Sequence, residues 1–374
     1  MKVIIAIDSF KGSIASIQAA QAVALGITDV YPDAKIVAMP MADGGEGTAQ
    51  ALVAALHGQM VKAEVTGPLG ERLEASYGLA EDMAVIEVAA ACGLPLVPEE
   101  KRNPLETTTY GVGELIRDAM ERGCRRFLIG LGGSATNDAG IGMLQALGFS
   151  FRNENGQEVG FGGKELQSIR TILFDHVHPL LHACTFQVAC DVSNPLYGQK
   201  GAACVFAPQK GATPRMVEEL DAGLKHFAKV VETTIHQNVQ IAGAGAAGGL
   251  GAAFALFLHG VLESGIDVVL EMTKLEDHMQ GADFVITGEG KLDLQTVMGK
   301  VPQGVARLAQ KYDVPVIGLA GAAAGDLSKL GLTAYFSITP APMSFEEAMK
   351  EEETFHNLRI TTRQIFSLVA ISKR

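Results

Sequence analysis

Residues 2–8 form a nearly unbroken apolar run, and the apolar positions that follow, Ile14, Ile17, Ala20, Val23 and Ala24, recur at helical spacing. The run predicts a strand buried on both faces, and the spaced positions predict an amphipathic helix. Residues 35–40 and 47–56 repeat the pair, so the chain opens βαβα. Residues 283–287, 314–319 and 334–338 predict three more strands, with a helix over 302–312 between the first two. Helices over 344–350 and 356–371 close the chain. The middle reads differently. Residues 61–66 and 73–79 flank Gly67-Pro68-Leu69-Gly70, a hairpin signal. Further strands are predicted over 84–88, 127–131, 186–189 and 202–206, and helices over 111–122, 140–147, 215–233 and 251–264. A five-stranded parallel unit is thus interrupted by roughly two hundred residues, far more than an ordinary loop. The expected domains are 1–60 with 270–374, and 61–269. No fixed-period repeat or Pro-rich linker is present.

Composition narrows the class. The chain has 374 residues, 48% of them apolar, with 43 glycines and only 6% aromatics, which suits an α/β protein with many tight turns. A net charge of −12 argues against an extended nucleic-acid footprint or an anionic membrane surface, though not against a small anionic substrate. The N-terminal apolar run stops at Asp8, too short for a signal sequence. The uncharged stretch 239–258 is broken by five glycines and reads as a buried turn and helix, not a membrane span. Five cysteines (92, 124, 184, 190 and 204) form no CxxC pair, which fits reduced thiols in the cytoplasm.

Four glycine-rich turns with acidic residues lie beside strand-like runs: 41–47 (MADGGEG), 130–138 (GLGGSATND), 243–251 (GAGAAGGLG) and 288–293 (GEGKLD). Glycine lets a backbone approach a ligand closely, and successive N–H groups cradle anions. Nearby carboxylates suit Mg²⁺ or a substrate hydroxyl. One such turn is most often a plain connection; four together point to phosphoryl transfer.

Each candidate has a bland competitor. Asp8 and Lys11 end the first strand, where open α/β sheets bind ligands. Asp8 suits a hydroxyl proton or a metal, and Lys11 a phosphate or carboxylate; Ser13 beside them would serve equally as a helix cap. Asp43 with Glu46 exceeds what capping requires. Gly132, Gly133, Ser134, Thr136 and Asn137 offer amides, hydroxyls and an amide side chain to phosphates, while Asn137 and Asp138 would also cap a helix. Asp191, three residues before Asn194, orients a hydroxyl and a metal, or forms an Asx turn before Pro195. Gly288, Gly290 and Lys291 follow a strong strand and make a better phosphate turn than the GxGxxG at 243–248, a weak signal on its own. No GxxxxGK[ST], GxSxG or HExxH occurs, and the nine histidines are scattered.

At these loops the chain resembles the bacterial class I glycerate kinases along essentially its whole length. The matching strings are IDSFKGS (7–13), PMADGGEGT (40–48), TTTYGVGELI (107–116), GLGGSATNDAG (130–140), CDVSNPLYG (190–198), FAPQKGA (206–212), GAGAAGGLGAA (243–253) and GEGKLD (288–293). Thr296 and Val297 depart from the family, which usually has a serine after Gln295. The resemblance implies an α/β fold in which a flavodoxin-like parallel-sheet domain is interrupted by a larger inserted domain of restriction-enzyme-like fold. It implies ATP- and Mg²⁺-dependent phosphorylation of D-glycerate, usually to 2-phosphoglycerate and in some members to the 3-phospho isomer. The setting would be cytoplasmic glycerate, glyoxylate or sugar-acid catabolism. With the residues above it gives an expected site in a cleft between the domains. Phosphates would rest on 132–138 and 288–290, Mg²⁺ on Asp191 and Glu289, and the acidic side chains Asp8 or Asp43 would take the hydroxyl proton. Lys11 would meet the carboxylate or the transferring phosphate. A homodimer is the candidate assembly. Two other classes compete: a dinucleotide-dependent oxidoreductase using 243–248, and a periplasmic-type anion-binding protein, against which the missing signal sequence speaks.

Overall fold

The computed structural model describes residues 1–294 and 296–372. Two compact units divide the chain: one holds Met1–Asp43, Gln50–His57 and everything from Ser264 on, the other Gly44–Ala49 and Gly58–Glu263. In chain order the strands are β1 (Lys2–Ile5), β2 (Lys35–Ala38), β3 (Gln59–Thr66), β4 (Arg72–Ala80), β5 (Met83–Glu87), β6 (Arg126–Gly130), β7 (Ser150–Arg152), β8 (Thr171–Leu173), β9 (Thr185–Ala189), β10 (Val261–Glu263), β11 (Phe284–Leu292), β12 (Val316–Ala323) and β13 (Ala334–Ser337).

The first unit carries one parallel sheet in the order β13-β12-β11-β1-β2. Numbered within the unit this is 2-1-3-4-5, the flavodoxin-like arrangement, whose strand order reverses between β1 and β11. Val3 and Ile5 on one face of β1 and Ile4 on the other are fully buried, as a strand covered on both faces requires. Helices Ser16–Thr28 and Glu351–Ser372 join the same core through Val23, Ile27, Leu358 and Phe366. Their approach needs Gly26: a Cβ there would lie 2.5 Å from the Arg359 carbonyl oxygen. The Arg359 guanidinium clasps Asp29 beside that contact.

One element of this unit corrects the expected pattern. Residues 288–290 are not a turn after a strand; β11 runs through them, pairing Gly288 with Leu319 and Glu289 with Ala320. A Cβ on Gly288 would stand 2.2 Å from the Leu319 carbonyl oxygen, so this glycine admits the neighbouring strand.

The second unit holds a six-stranded sheet, β10-β9-β6-β5-β4-β3, and the small pair β7-β8. β3, β4 and β5 are antiparallel and the remaining pairs parallel. Residues 202–206 are helical, not extended; a short apolar run does not distinguish the two. Residues 239–241 form no strand. The helix expected over 251–264 ends at Phe257, where His259 enters the left-handed region (φ 53°) and the Gly260 amide turns back onto the Phe254 carbonyl. The chain then adds β10 beside β9. Among the described residues no helix is long and apolar enough to cross a membrane.

Candidate active site

In the flavodoxin-like unit, backbone bonds past the strand ends carry the chain to the carboxyl edge of the sheet. The Asp8 amide donates to the Gly288 carbonyl at 3.0 Å, and the Met41 amide to the Ile7 carbonyl at 3.0 Å. Asp8 and Glu289 therefore flank the point where strand order reverses, and Asp43 follows β2 on the next strand along. Open α/β sheets bind ligands at such a point.

Asp8 is 5% exposed. Its Oδ1 accepts the Ser9 amide at 2.6 Å. Burial pushes its carboxyl up to about 8, and the Asp43 and Glu289 charges add to the rise; the Ser9 amide and the Lys11 ammonium oppose it. Burial also raises Glu289, against the Thr296 hydroxyl and the Lys300 ammonium. Thr296 Oγ1 donates to Glu289 Oε1, and Lys300 Nζ lies 3.5 Å from Oε2. Lys11 is exposed on a tight turn in which Gly12 takes φ 75°. Ser13 is not a helix cap: its hydroxyl meets Thr354, and the helix begins at Ser16. Lys291 pairs with Asp293 at 3.2 Å. Gly290 stands beside the 8–13 loop, 3.6 Å separating an added Cβ from the Phe10 Cα.

In the inserted unit, the 132–138 loop follows β6. Gly132 and Gly133 are exposed, whereas Ser134, Thr136, Asn137 and Asp138 are buried. Lys210, 3% exposed, donates from Nζ to Ser134 Oγ (2.9 Å) and to the Thr136 carbonyl (2.6 Å). Burial holds this ammonium down, to about 8, while Cys92 and Asp138 pull it back up. Asp138 accepts from the Thr109 amide (2.9 Å), the Thr109 hydroxyl (2.8 Å) and the Gly140 amide (3.1 Å). Neither polar side-chain atom of fully buried Asn137 has a partner among the described residues. Such a group is costly unless water or a ligand meets it.

Asp191 is exposed after β9, in a loop pinned by Asn194, whose side chain reaches the Lys200 carbonyl at 2.8 Å. The 243–251 glycines pack backbone on backbone instead of cradling a ligand. A Cβ on Gly248 would sit 2.0 Å from the Thr136 carbonyl oxygen, and the Ala139 amide donates to Gly248 O. With no strand before it and the 136–139 backbone packed against Gly248 and Gly249, this loop gives the dinucleotide reading no support.

Asp8, Lys11, Asp43, Gly288, Glu289, Gly290 and Lys291 thus share one unit, and Gly132, Gly133, Ser134, Thr136, Asn137 and Asp191 the other. Sequence reasoning missed Lys300 and Thr296 beside Glu289, and Lys210 and Thr109 behind the 132–138 loop. It also missed Glu87, which accepts the Ala49 amide at 2.9 Å in the first turn of the helix Thr48–Ala55. The strings TTTYGVGELI and FAPQKGA contain Thr109 and Lys210; nothing in spacing alone marks them.

The description of the glycerate kinase family matches residues 3–370, and the chain belongs to that family. It is 47% identical to the glycerate 2-kinase of Escherichia coli (strain K12) over 100% of this chain and 99% of that one. Identity to the glycerate kinase of Halalkalibacterium halodurans is 49%, covering 94% of each chain. A crystal structure described as a glycerate kinase 2 from Salmonella typhimurium LT2 superposes with a TM-score of 0.92 at 45% identity, covering 100% of this chain and 99% of that one.

Proposed function

We propose that the chain transfers the γ-phosphoryl group of ATP to the 2-hydroxyl of D-glycerate, giving 2-phosphoglycerate and ADP, in cytoplasmic organic-acid catabolism. The observation that carries the reading is the reversal point of the flavodoxin-like sheet, flanked by the buried Asp8, whose carboxyl burial pushes up to about 8, with the Lys11 ammonium acting on it, in a chain of this family. The E. coli relative is a glycerate 2-kinase, which favours the 2-position.

A carboxyl that titrates near neutrality is suited to general-base work. In the proposed reaction Asp8 takes the proton of the acceptor hydroxyl as its oxygen forms the bond to phosphorus, and ADP departs with the electrons of the broken P–O bond. Asp43 keeps Asp8 proton-hungry by like-charge proximity. Lys11 meets the glycerate carboxylate or the transferring group. In this reading the exposed amides of Gly132 and Gly133 cradle nucleotide phosphates, with Ser134, Thr136 and Asn137 shaping that loop from beneath.

Among the described residues no three acidic, histidine or cysteine side chains are grouped to hold a metal by themselves. Mg²⁺ needs less: it takes one or two carboxylates and completes its shell with phosphate oxygens and water. The exposed carboxylate of Asp191 fits that role. Glu289, whose oxygens Thr296 and Lys300 engage, is the second candidate. When bound, Mg²⁺ neutralises charge developing on the phosphates.

The test is an ADP-release assay with ATP, Mg²⁺ and D-glycerate, followed by phosphorus NMR of the product. Release of ADP with 2-phosphoglycerate is expected. The 3-phospho isomer would correct the regiochemistry, and absence of ADP would remove the kinase reading.

A further inference from the structure

We infer that Lys300 is a catalytic residue that contacts an oxyanion of the reactants, and that Glu289 and Thr296 position it. The inference rests on the kinase reading above and assigns a residue that reading leaves without a task.

The Glu289 side chain is 8% exposed, on a strand at the reversal point, and both of its oxygens have partners. The Thr296 hydroxyl that donates to Oε1 is itself held by the Asp293 amide, which donates to Thr296 Oγ1 at 3.0 Å. Its single proton goes to the carboxylate, the much shorter contact, with the Lys291 carbonyl at 3.4 Å the other acceptor in reach. Glu289 so fixed has one oxygen left to hold a cation, and Lys300 takes it.

Lys300 is held less tightly. Its contact to Oε2 is long, at 3.5 Å, and its side chain is 31% exposed. An ammonium has three donors, so capacity remains on its solvent side. Its backbone is anchored as the residue before helix Val301–Gln310, whose Gly304 amide donates to the Lys300 carbonyl at 3.0 Å.

Charge supplies the need. Glycerate and the nucleotide phosphates are anions, and the reversal point carries the carboxylates Asp8, Asp43 and Glu289. Among the described residues the Lys11 ammonium acts on Asp8 and the Lys300 ammonium on Glu289. The Lys291 ammonium is drawn to Asp293 instead. A cation steered by a buried carboxylate is a pre-positioned donor for charge that develops in the transition state. The shared chemistry is an oxyanion, either the carboxylate of glycerate or the transferring phosphoryl group.

The competing explanation is that Lys300 only neutralises Glu289, and kinetic analysis of single and double variants separates the two. Lys300→Met should lower kcat/KM by about 10²-fold or more, the usual cost of one such donor, with the melting temperature near that of the parent. A raised KM for glycerate with kcat preserved would identify the carboxylate as the partner; a reduced kcat would identify the phosphoryl group. Thr296→Val should reproduce part of the same signature and Thr296→Ser should restore it. The Lys300→Met, Glu289→Gln double variant should stay impaired, since removing the orphaned carboxylate does not return the donor. Recovery of activity in that double variant would reduce Lys300 to a neutralising partner and overturn the inference. So would a Lys300→Met enzyme within threefold of the parent in every parameter. A parent enzyme that releases no ADP with glycerate overturns the kinase reading and this inference with it, whereas an active parent beside an unaffected Lys300→Met overturns the inference alone.

Discussion

Asp8 and Asp138 are carboxylates of two different units, both removed from water, and the chain treats them in opposite ways. Asp138 accepts three hydrogen bonds, two from Thr109 and one from the Gly140 amide. The buried Lys210 ammonium also interacts with its charge. Asp8 has the Ser9 amide, and the carboxylates of Asp43 and Glu289 press on it. Burial raises both acids, but at Asp138 the compensating donors are what shape the 132–140 loop. At Asp8 the compensation is thin. A buried charge that is fully hydrogen-bonded is an architectural device; one that is left short of donors is poised to exchange a proton.

The largest effect expected from this contrast is at Asp8. Asp8→Asn should lower kcat by about 10³-fold, in the range of a lost general base. Its stability should move the other way. The folded form of Asp8 titrates near 8, above its unfolded value of 3.8, so the folded chain binds more protons across that window. The stability this confers is present at low pH and lost as pH rises through about 8. Asparagine removes that loss, so the melting temperature of the variant should exceed the parent's by a margin that widens from pH 5 to pH 9. A variant that is inactive and also less stable at pH 9 would show that Asp8 is structural. The same titration predicts that parental kcat/KM climbs as pH is raised toward 8, and a flat profile below 8 would contradict it.

Lys11→Ala comes next. An exposed ammonium acting on Asp8 should contact an anion in the transition state, and its loss should reduce kcat/KM by roughly 10²-fold with the fold intact. A change within twofold would make Lys11 a solvated surface residue. Asp191→Asn should then raise the Mg²⁺ concentration for half-maximal rate by roughly tenfold, a typical penalty for perturbing a metal site, and leave the KM for glycerate nearly unchanged. Mg²⁺ titration at saturating glycerate distinguishes this from loss of a substrate contact.

Asp138→Asn tests the other side of the contrast. An amide in that place loses a charged acceptor and turns a donor toward donors, at a cost of about 1–3 kcal/mol. Denaturant titration should show that loss, while kcat per folded molecule changes less than about twofold. If turnover collapses with stability retained, the two acids are not opposites after all.

Much of the architecture was legible because it is written in period. Uncharged strand runs and helically spaced apolar positions gave the five parallel strands, and strand ends located Asp8 and Asp43. The failures have physical causes. At 202–206 and 251–264, short apolar runs suit either helix or strand, and turn geometry at His259 and Gly260 decided the outcome. At 288–290 glycine was read as a turn signal, whereas it admits the Leu319 backbone within a continuing strand. The 243–251 glycines likewise serve close packing against 136–139. Lys300, Lys210 and Glu87 were invisible because their roles depend on contacts across at least 11 positions of sequence.

The smallest predicted effect concerns Lys291, and it sharpens the contrast between buried and exposed charge. Lys291 and Lys300 are both lysines near Glu289, each paired to one carboxylate. The partner of Lys300 is buried; Lys291 is 59% exposed and its partner, Asp293, 24% exposed. An ion pair open to water contributes less than about 1 kcal/mol and is weakened further by salt. It therefore fixes its ammonium poorly, and little binding energy is gained from pre-positioning. Lys291→Ala should raise the nucleotide KM less than about fivefold, within that 1 kcal/mol, and leave kcat unchanged. Steady-state kinetics at two ionic strengths provide the check. A tenfold or greater loss would mean that Lys291 leaves Asp293 for a phosphate, and that burial of the pairing carboxylate is not what separates a working cation from a solvated one.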